Sequence, residues 1–287
     1  MECNTHTIKL FTVATHNYGY LDALKQSSKR HHYDLRILGY NEEWKGLLWK
    51  FTLMYEQLHS LPDNEIVVFC DGFDVIVTND SNDMIQYFEH EQCDILFGWE
   101  SSNNNYLVYM SSLLSFQNAK LLDRYNTPNS GIYIGYVHAI KKYLEFCLQH
   151  ANTTTQDDQD LTYLFFHHIE RADDVDVDDD VDDDVDDDIE DLRVKISRCI
   201  YTIPMKPGVF ELYKILFTSL QDHSIDVSDL PSSFHNIFFI HANGNRNMDI
   251  VATKFELPGA NTVTNTRHNH IVYYMTNAWN NILKKLI

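Results

Sequence analysis

The chain has 287 residues, enough for one or two domains with a large core. Apolar residues make up 44% and aromatic residues 13%, which excludes wholesale disorder. The formal charge is −20, but residues 173–191 alone hold thirteen Asp and one Glu with no base, so the remainder carries −6. No basic footprint is present, which excludes backbone-driven binding of nucleic acid.

No apolar run approaches the roughly 18 residues of a membrane span. Met1-Glu2-Cys3-Asn4 lacks the basic start of a signal peptide, so a soluble, intracellular protein is expected, in the host cytoplasm if the source is viral. Cysteines 3, 70, 93, 147 and 199 are odd in number and scattered, without C-x-x-C. They read as reduced buried thiols rather than a disulfide framework or a zinc site.

In chain order, residues 7–15 are rich in β-branched and apolar types and end in a polar His-Asn-Tyr-Gly turn, which predicts a first strand. Leu21, Leu24 and Ser28 continue at helical spacing, and residues 34–38 form a second short strand. Leu47, Leu48, Phe51, Met54, Tyr55 and Leu58 make a helical stripe that stops before Pro62. Residues 66–70 are continuously apolar, as in a strand covered on both faces. Residues 79–81 offer an N-cap for a helix through Tyr87 and Phe88, and 94–97 is read as the fourth strand.

Strands alternating with helices predict an α/β fold, Rossmann-like, with a mostly parallel sheet and functional loops at the carboxyl ends of its strands. The loop 16–19 lacks G-x-G-x-x-G, and no G-x-x-x-x-G-K-[ST] occurs, which disfavours a dehydrogenase or a P-loop ATPase. The 173–191 tract is a D-D-D-V repeat whose like charges and sparse valines predict a disordered surface insertion. It lacks the glycine and ligand spacing of an EF-hand. Residues 196–203 and 234–241 resume strand patterns. Ile271, Met275, Ala278, Trp279, Ile282 and Leu286 predict a C-terminal amphipathic helix in 261–287, packed on the 1–260 domain or at a homodimer interface.

The chemistry gathers at strand exits. Asp71-Gly72-Phe73-Asp74 follows a buried strand and can aim two carboxylates at one point, where they repel unless a cation lies between them. His241 ends the run 238–240, and imidazole with two carboxylates is a set that suits manganese. The pairs 31/32, 167/168 and 268/270 have no supporting carboxylate pattern and are left as structural histidines. Residues 156–160 (Gln-Asp-Asp-Gln-Asp) open a helix, where acids favour the macrodipole, yet five polar residues in a row exceed the needs of a cap. Asn129-Ser130-Gly131 reads as a small polar turn before a strand, and Trp44, in a Glu42-Glu43-Trp44 loop, either stacks on a base or covers the core.

These elements, in this order, resemble the glycosyltransferase domain of the procollagen lysyl hydroxylases. The likeness rests on Thr12-Val13-Ala14-Thr15, Glu42-Glu43-Trp44, Lys50 with Leu53-Met54, Asp71-Gly72-Phe73-Asp74-Val75-Ile76, Asn129-Ser130-Gly131 and His241-Ala242-Asn243-Gly244, across roughly residues 7–255. The resemblance implies a GT-A-type fold with Mn²⁺ held by Asp71, Asp74 and His241. It implies Val13, Thr15, Trp44 and Phe73 around the uridine of a UDP-sugar donor, and Lys50, Asn243 and Gly244 near its diphosphate. Asp157, Asp158 and Gln159 would lie near the transferred sugar and the acceptor. The implied activity is retaining transfer of glucose from UDP-glucose to galactosyl-hydroxylysine of collagen or a collagen-like protein, with galactose transfer to hydroxylysine as the alternative.

This chain differs from the family pattern in a donor loop shortened to residues 46–49, in Phe73 where the family tends to have Tyr, and in the 173–191 insertion. Its acidic run, D-D-Q-D against D-D-D-Q, leaves the register of the catalytic acid open. The hydroxylase domain of the family has no counterpart here, so a stand-alone transferase is expected, and the Asn- and Asp-rich composition fits a giant virus or a protist. Two other classes compete. A haloacid-dehalogenase-type phosphotransferase would need D-x-D rather than D-x-x-D, and an acidic cation- or collagen-binding module would rest on 173–191 alone.

Overall fold

The computed structural model describes residues 7–100, 127–151, 157–173, 189, 191–203, 225, 230–242 and 247–261. The acidic run through 174–188, Asn243, Gly244 and the C-terminal stripe of 271–286 lie outside the described residues.

The elements are β1 (Lys9–Val13), α1 (Leu21–Arg30), β2 (Asp34–Leu38), α2 (Leu48–Leu58), β3 (Ile66–Asp71), β4 (Val75–Val77) and α3 (Ser81–Glu91). They continue as β5 (Ile95–Glu100), β6 (Thr127–Tyr136), α4 (Val137–His150), α5 (Asp158–Asp173), β7 (Val194–Thr202), β8 (Phe239–His241) and α6 (Asp249–Lys254). The strands join in one sheet of order β2-β1-β3-β6-β5-β7-β8-β4. Strands β1, β2, β3, β5, β7 and β8 run one way, whereas β6 is antiparallel to β3 and β5, and β4 is antiparallel to β8.

Side-chain alternation sorts the central strands onto two apolar layers, as a pleated strand requires. Phe11, Val13, Val67, Phe69, Ile95, Phe97 and Tyr133 face a cluster with Phe51 and Met54 of α2, Tyr143 of α4 and Phe165 of α5. Leu10, Val68, Cys70, Leu96, Ile132 and Ile134 face the other layer, with Leu21 and Leu24 of α1 and Met84 and Phe88 of α3. Each such fully buried side chain contributes about 1.5–3 kcal/mol of transfer free energy. Because both faces are covered, the strands read as continuous apolar runs. A third cluster, around Ile76, Ile240, Met248, Val251 and Leu257, seats β4, β8 and α6. The four described cysteines, 70, 93, 147 and 199, are buried free thiols.

Two expectations need correction. The strand at 94–97 is not the fourth but the fifth, because the three-residue β4 precedes it. So short a segment carries no readable period. Asn129-Ser130-Gly131 is not a turn before β6 but part of the strand itself. The cap of α3 is as expected: the Asp80 side chain accepts a hydrogen bond from the Asn82 amide at 3.0 Å.

Gly19, at φ +56°, ties the end of the β1 loop to the Asp71–Asp74 segment. A Cβ there would stand 2.4 Å from the Phe73 carbonyl oxygen, which accepts from the Tyr20 amide at 2.8 Å. Gly19→Ala is expected to cost roughly 2 kcal/mol, seen as a Tm lower by several degrees. An unchanged melting curve would show that the 72–74 segment gives way freely.

Candidate functional site

The direction of the strands brings the polar residues to one edge. Val13 ends β1 beside Asp71, which ends β3, in register with it. The antiparallel β6 starts at this same edge, so Asn129, Ser130 and Gly131 lie just beyond the Cys70–Ile132 pair. His241 ends β8, paired with Val75 of β4 and Thr202 of β7. The Ala242 amide donates to the Asp74 carbonyl oxygen at 2.9 Å, which holds the β3–β4 segment against the exit of β8.

Asp71, Asp74 and His241 each present a ligand atom within 4.8 Å of the others. Nε2 of His241 is 3.5 Å from Asp74 Oδ1 and 3.8 Å from Asp71 Oδ2. Atoms that share one small divalent cation at about 2 Å each lie roughly 3–4 Å apart, so the spacing fits. Orientation fits as well. Asn129 Oδ1 accepts from the Gly131 amide at 2.9 Å and lies 3.2 Å from His241 Nδ1. The amide donor identifies that Asn atom as the oxygen, so Nδ1 donates to it and Nε2 is turned toward the two carboxylates. A Cβ on Gly131 would fall 2.6 Å from Asp71 Oδ2 and 2.7 Å from His241 Cε1, so only glycine leaves the cradle open. The donor set of two carboxylates and one imidazole suits a divalent cation such as Mn²⁺.

Lys50 of α2 extends into this edge. Its ammonium lies 2.9 Å from Asp71 Oδ1 and 2.6 Å from Asp158 Oδ2, with the side chain only 8% exposed. Burial alone would lower its pKa, but the Asp158 and Asp71 carboxylates outweigh burial and hold it well above the ordinary lysine value. Asp158 also accepts from Ser130 Oγ at 3.2 Å. Gln159 accepts from the Ser130 amide through Oε1 at 3.0 Å and donates from Nε2 to the Pro128 carbonyl at 2.7 Å. Asp157 caps α5: its Oδ1 accepts from the amides of Gln159 at 2.9 Å and Asp160 at 3.3 Å. Burial, then the Asp158 and Asp160 charges, raise the Asp157 carboxyl above its usual range, against the pull of those two amides.

The expected residues therefore separate into groups. Asp71, Asp74, His241, Lys50 and Asp158 meet directly, and Gln159 and Asp157 join them through Ser130 and the start of α5. Thr15 and Phe73 sit on the rim. Thr15 Oγ1 lies 2.8 Å from His16 Nδ1, and the rings of His16, Tyr18 and Phe73 gather with centroids 5.5–5.7 Å apart. Trp44 packs edge-on against Trp49 at 5.8 Å on the flank of the core. Asn243 and Gly244 lie outside the described residues. Asn129 and Ser130 were not singled out as site residues; the Asn-Ser-Gly pattern was visible, but read as a turn its side chains had no target.

A model of the PLOD GT domain family matches residues 4–195 of this chain. The chain belongs to that family, and its fold is a mixed α/β arrangement around one eight-stranded sheet. It is 26% identical over 176 residues to procollagen-lysine,2-oxoglutarate 5-dioxygenase 2 of Homo sapiens, which covers 55% of this chain and 22% of that protein. Against procollagen-lysine,2-oxoglutarate 5-dioxygenase of Drosophila melanogaster it is 26% identical over 181 residues, 58% of this chain and 23% of the other. The chain thus spans less than a quarter of the curated relatives' length. A crystal structure of a glycosyltransferase involved in glycosylation of the major capsid of PBCV-1 aligns over 84% of this chain and 96% of its own, at 11% identity and a TM-score of 0.43, too slight a likeness to add to the topology. The span matched by the family holds Lys50, Asp71, Asp74, Asn129 and Asp157–Gln159, whereas His241 lies beyond it and enters the site through β8.

Two outcomes follow from the geometry. Gly131→Ala is expected to weaken binding of Mn²⁺ by about tenfold or more, the equivalent of a 1–3 kcal/mol overpacking cost, with the circular-dichroism spectrum retained. Equal affinity in a titration would place the cation elsewhere. Asp157→Asn keeps a capping side chain and removes a carboxyl whose ionisation folding opposes. A carboxyl with a raised folded-state pKa loses stability for the chain as pH rises above its unfolded value of 3.8. The Asn variant should melt with the parent near pH 4 and above it near pH 8; a pH-independent gap would refute this.

Proposed function

We propose that the chain is a Mn²⁺-dependent, retaining glycosyltransferase that moves glucose from UDP-glucose to galactosyl-hydroxylysine in collagen or a collagen-like protein. The observation that carries this reading is the convergence of Asp71, Asp74 and an Asn129-oriented His241 at the edge where the parallel strands end. An acidic protein binds a diphosphate poorly without a cation, and a divalent ion supplies charge for both the donor diphosphate and the UDP leaving group.

Each residue has a part in this reading. Val13, Thr15, Trp44 and Phe73 line the nucleoside, and Asn243 and Gly244 approach the diphosphate. Asp158 is already held by Lys50 and Ser130, and the Gln159 amide by Ser130 and Pro128, so both shape the wall beside the sugar. Asp157 is the acid best suited to orient the acceptor hydroxyl. Retention by attack on the face of the departing UDP needs no carboxylate nucleophile, and no single acid stands out as one.

The deciding measurement is UDP release with UDP-glucose and UDP-galactose, each against bare and galactosylated hydroxylysine. UDP-glucose with the galactosylated acceptor should be the productive pair. Turnover only with UDP-galactose on bare hydroxylysine would reverse the assignment. Asp71→Ala and Asp74→Ala should each reduce turnover by at least about a hundredfold while the fold persists. Full turnover in excess chelator would remove the cation from the mechanism.

A further inference from the structure

We propose that Lys50 and Asp158 form a fixed ion pair that sets the charge and the carboxylate orientation met by the cation at Asp71, Asp74 and His241. Both are then positioning residues for the cation, not ligands of phosphate or sugar. The inference rests on the cation reading above.

Three observations support it. First, the lysine divides the Asp71 carboxylate. Oδ1 holds the ammonium at 2.9 Å, which turns Oδ2 toward His241 Nε2 and the open face of Gly131. Oδ2 is thereby the Asp71 oxygen left facing the cation. Second, a lone positive charge against a ligand carboxylate would oppose a divalent ion. Asp158, 2.6 Å from the same ammonium, cancels it. The charge of Asp71 is thereby left to face the cation. Third, two of the three N–H groups of Lys50 are spent inside the protein on a side chain that is 92% covered, which leaves little of the ammonium for a diphosphate. Ser130 Oγ fixes the other end by holding Asp158 Oδ2.

The test is binding of Mn²⁺ alone to the full chain, read from the free-ion signal in electron paramagnetic resonance, with no donor present. Asp158→Asn keeps the shape and a partner for Ser130 but leaves the lysine charge uncancelled. It should weaken Mn²⁺ binding by about tenfold or more. Lys50→Met removes the opposing charge and should shift affinity the other way, and the double variant should return to within about threefold of the parent. Opposite single shifts that cancel in the double are not expected of a merely structural role. Should Lys50→Met fail to fold, Asp158→Asn decides alone. A parent chain that binds no Mn²⁺ overturns the cation reading and this inference with it. A parent that binds, with unchanged affinity in Asp158→Asn, overturns the inference only. A loss of UDP affinity of tenfold or more in folded Lys50→Met at saturating Mn²⁺ would make the lysine a phosphate ligand and overturn it too.

Discussion

Three carboxylates, those of Asp71, Asp74 and Asp158, are gathered at one edge of a sheet whose two faces are apolar, and the site follows from how that negative charge is neutralised. Acids this close, and this far removed from water, repel strongly unless positive charge is interleaved. The chain supplies one such charge itself, in Lys50, and spends it between Asp71 and Asp158. Between Asp71 and Asp74 stands His241, whose ring is oriented through Asn129 so that Nε2 faces both carboxylates. Lys50 thus neutralises one side of Asp71, and its other oxygen faces a group of ligand atoms that could hold a metal ion.

Much of this was legible in the sequence because burial on both faces writes itself plainly. The runs at 7–15, 34–38 and 66–70 hold strands β1, β2 and β3, and the stripe from Leu47 to Leu58 holds helix α2, because their periods are long enough to read. The convergence of Asp71 and Asp74 with His241, 167 residues later, followed from one rule: polar residues at the ends of parallel strands share an edge. Sequence spacing could not show the direction of β6. An antiparallel strand in the middle of the sheet reverses which of its ends reaches the site, so Asn129-Ser130-Gly131 looked like an approach turn. Nor could it show that Lys50 turns inward, since a lysine on an amphipathic helix is ordinarily a solvated one.

The acidic start of α5 shows how one short stretch divides its labour. On spacing alone Asp157, Asp158 and Asp160 were interchangeable. Their surroundings separate them. Asp157 satisfies two amides at the helix start, Asp158 meets Lys50 and Ser130, and Gln159 bonds the backbone of β6 in both directions. Each residue therefore has a distinct partner set.

The reversal of β6 is what allows so compact a site. In a purely parallel sheet, every strand reaching this edge would end there and continue into a loop, and ligands would have to be supplied by loops alone. Because β6 begins at the edge, it brings three consecutive residues there: Asn129, paired with Gly98, to orient the imidazole, and, where the register shifts, Ser130 to hold both Asp158 and Gln159 and Gly131 to leave room between Asp71 and His241. Side chains take the place of the ladder at this break: the Ser130 amide donates to Gln159 and the Gly131 amide to Asn129. The same strand also bonds to α5 through Pro128 and Ser130, so the cation edge and the acidic helix share one rigid support. A displacement at either would be felt at the other, which makes the pairing of Lys50 with Asp158 a property of the fold rather than of two side chains that happen to meet.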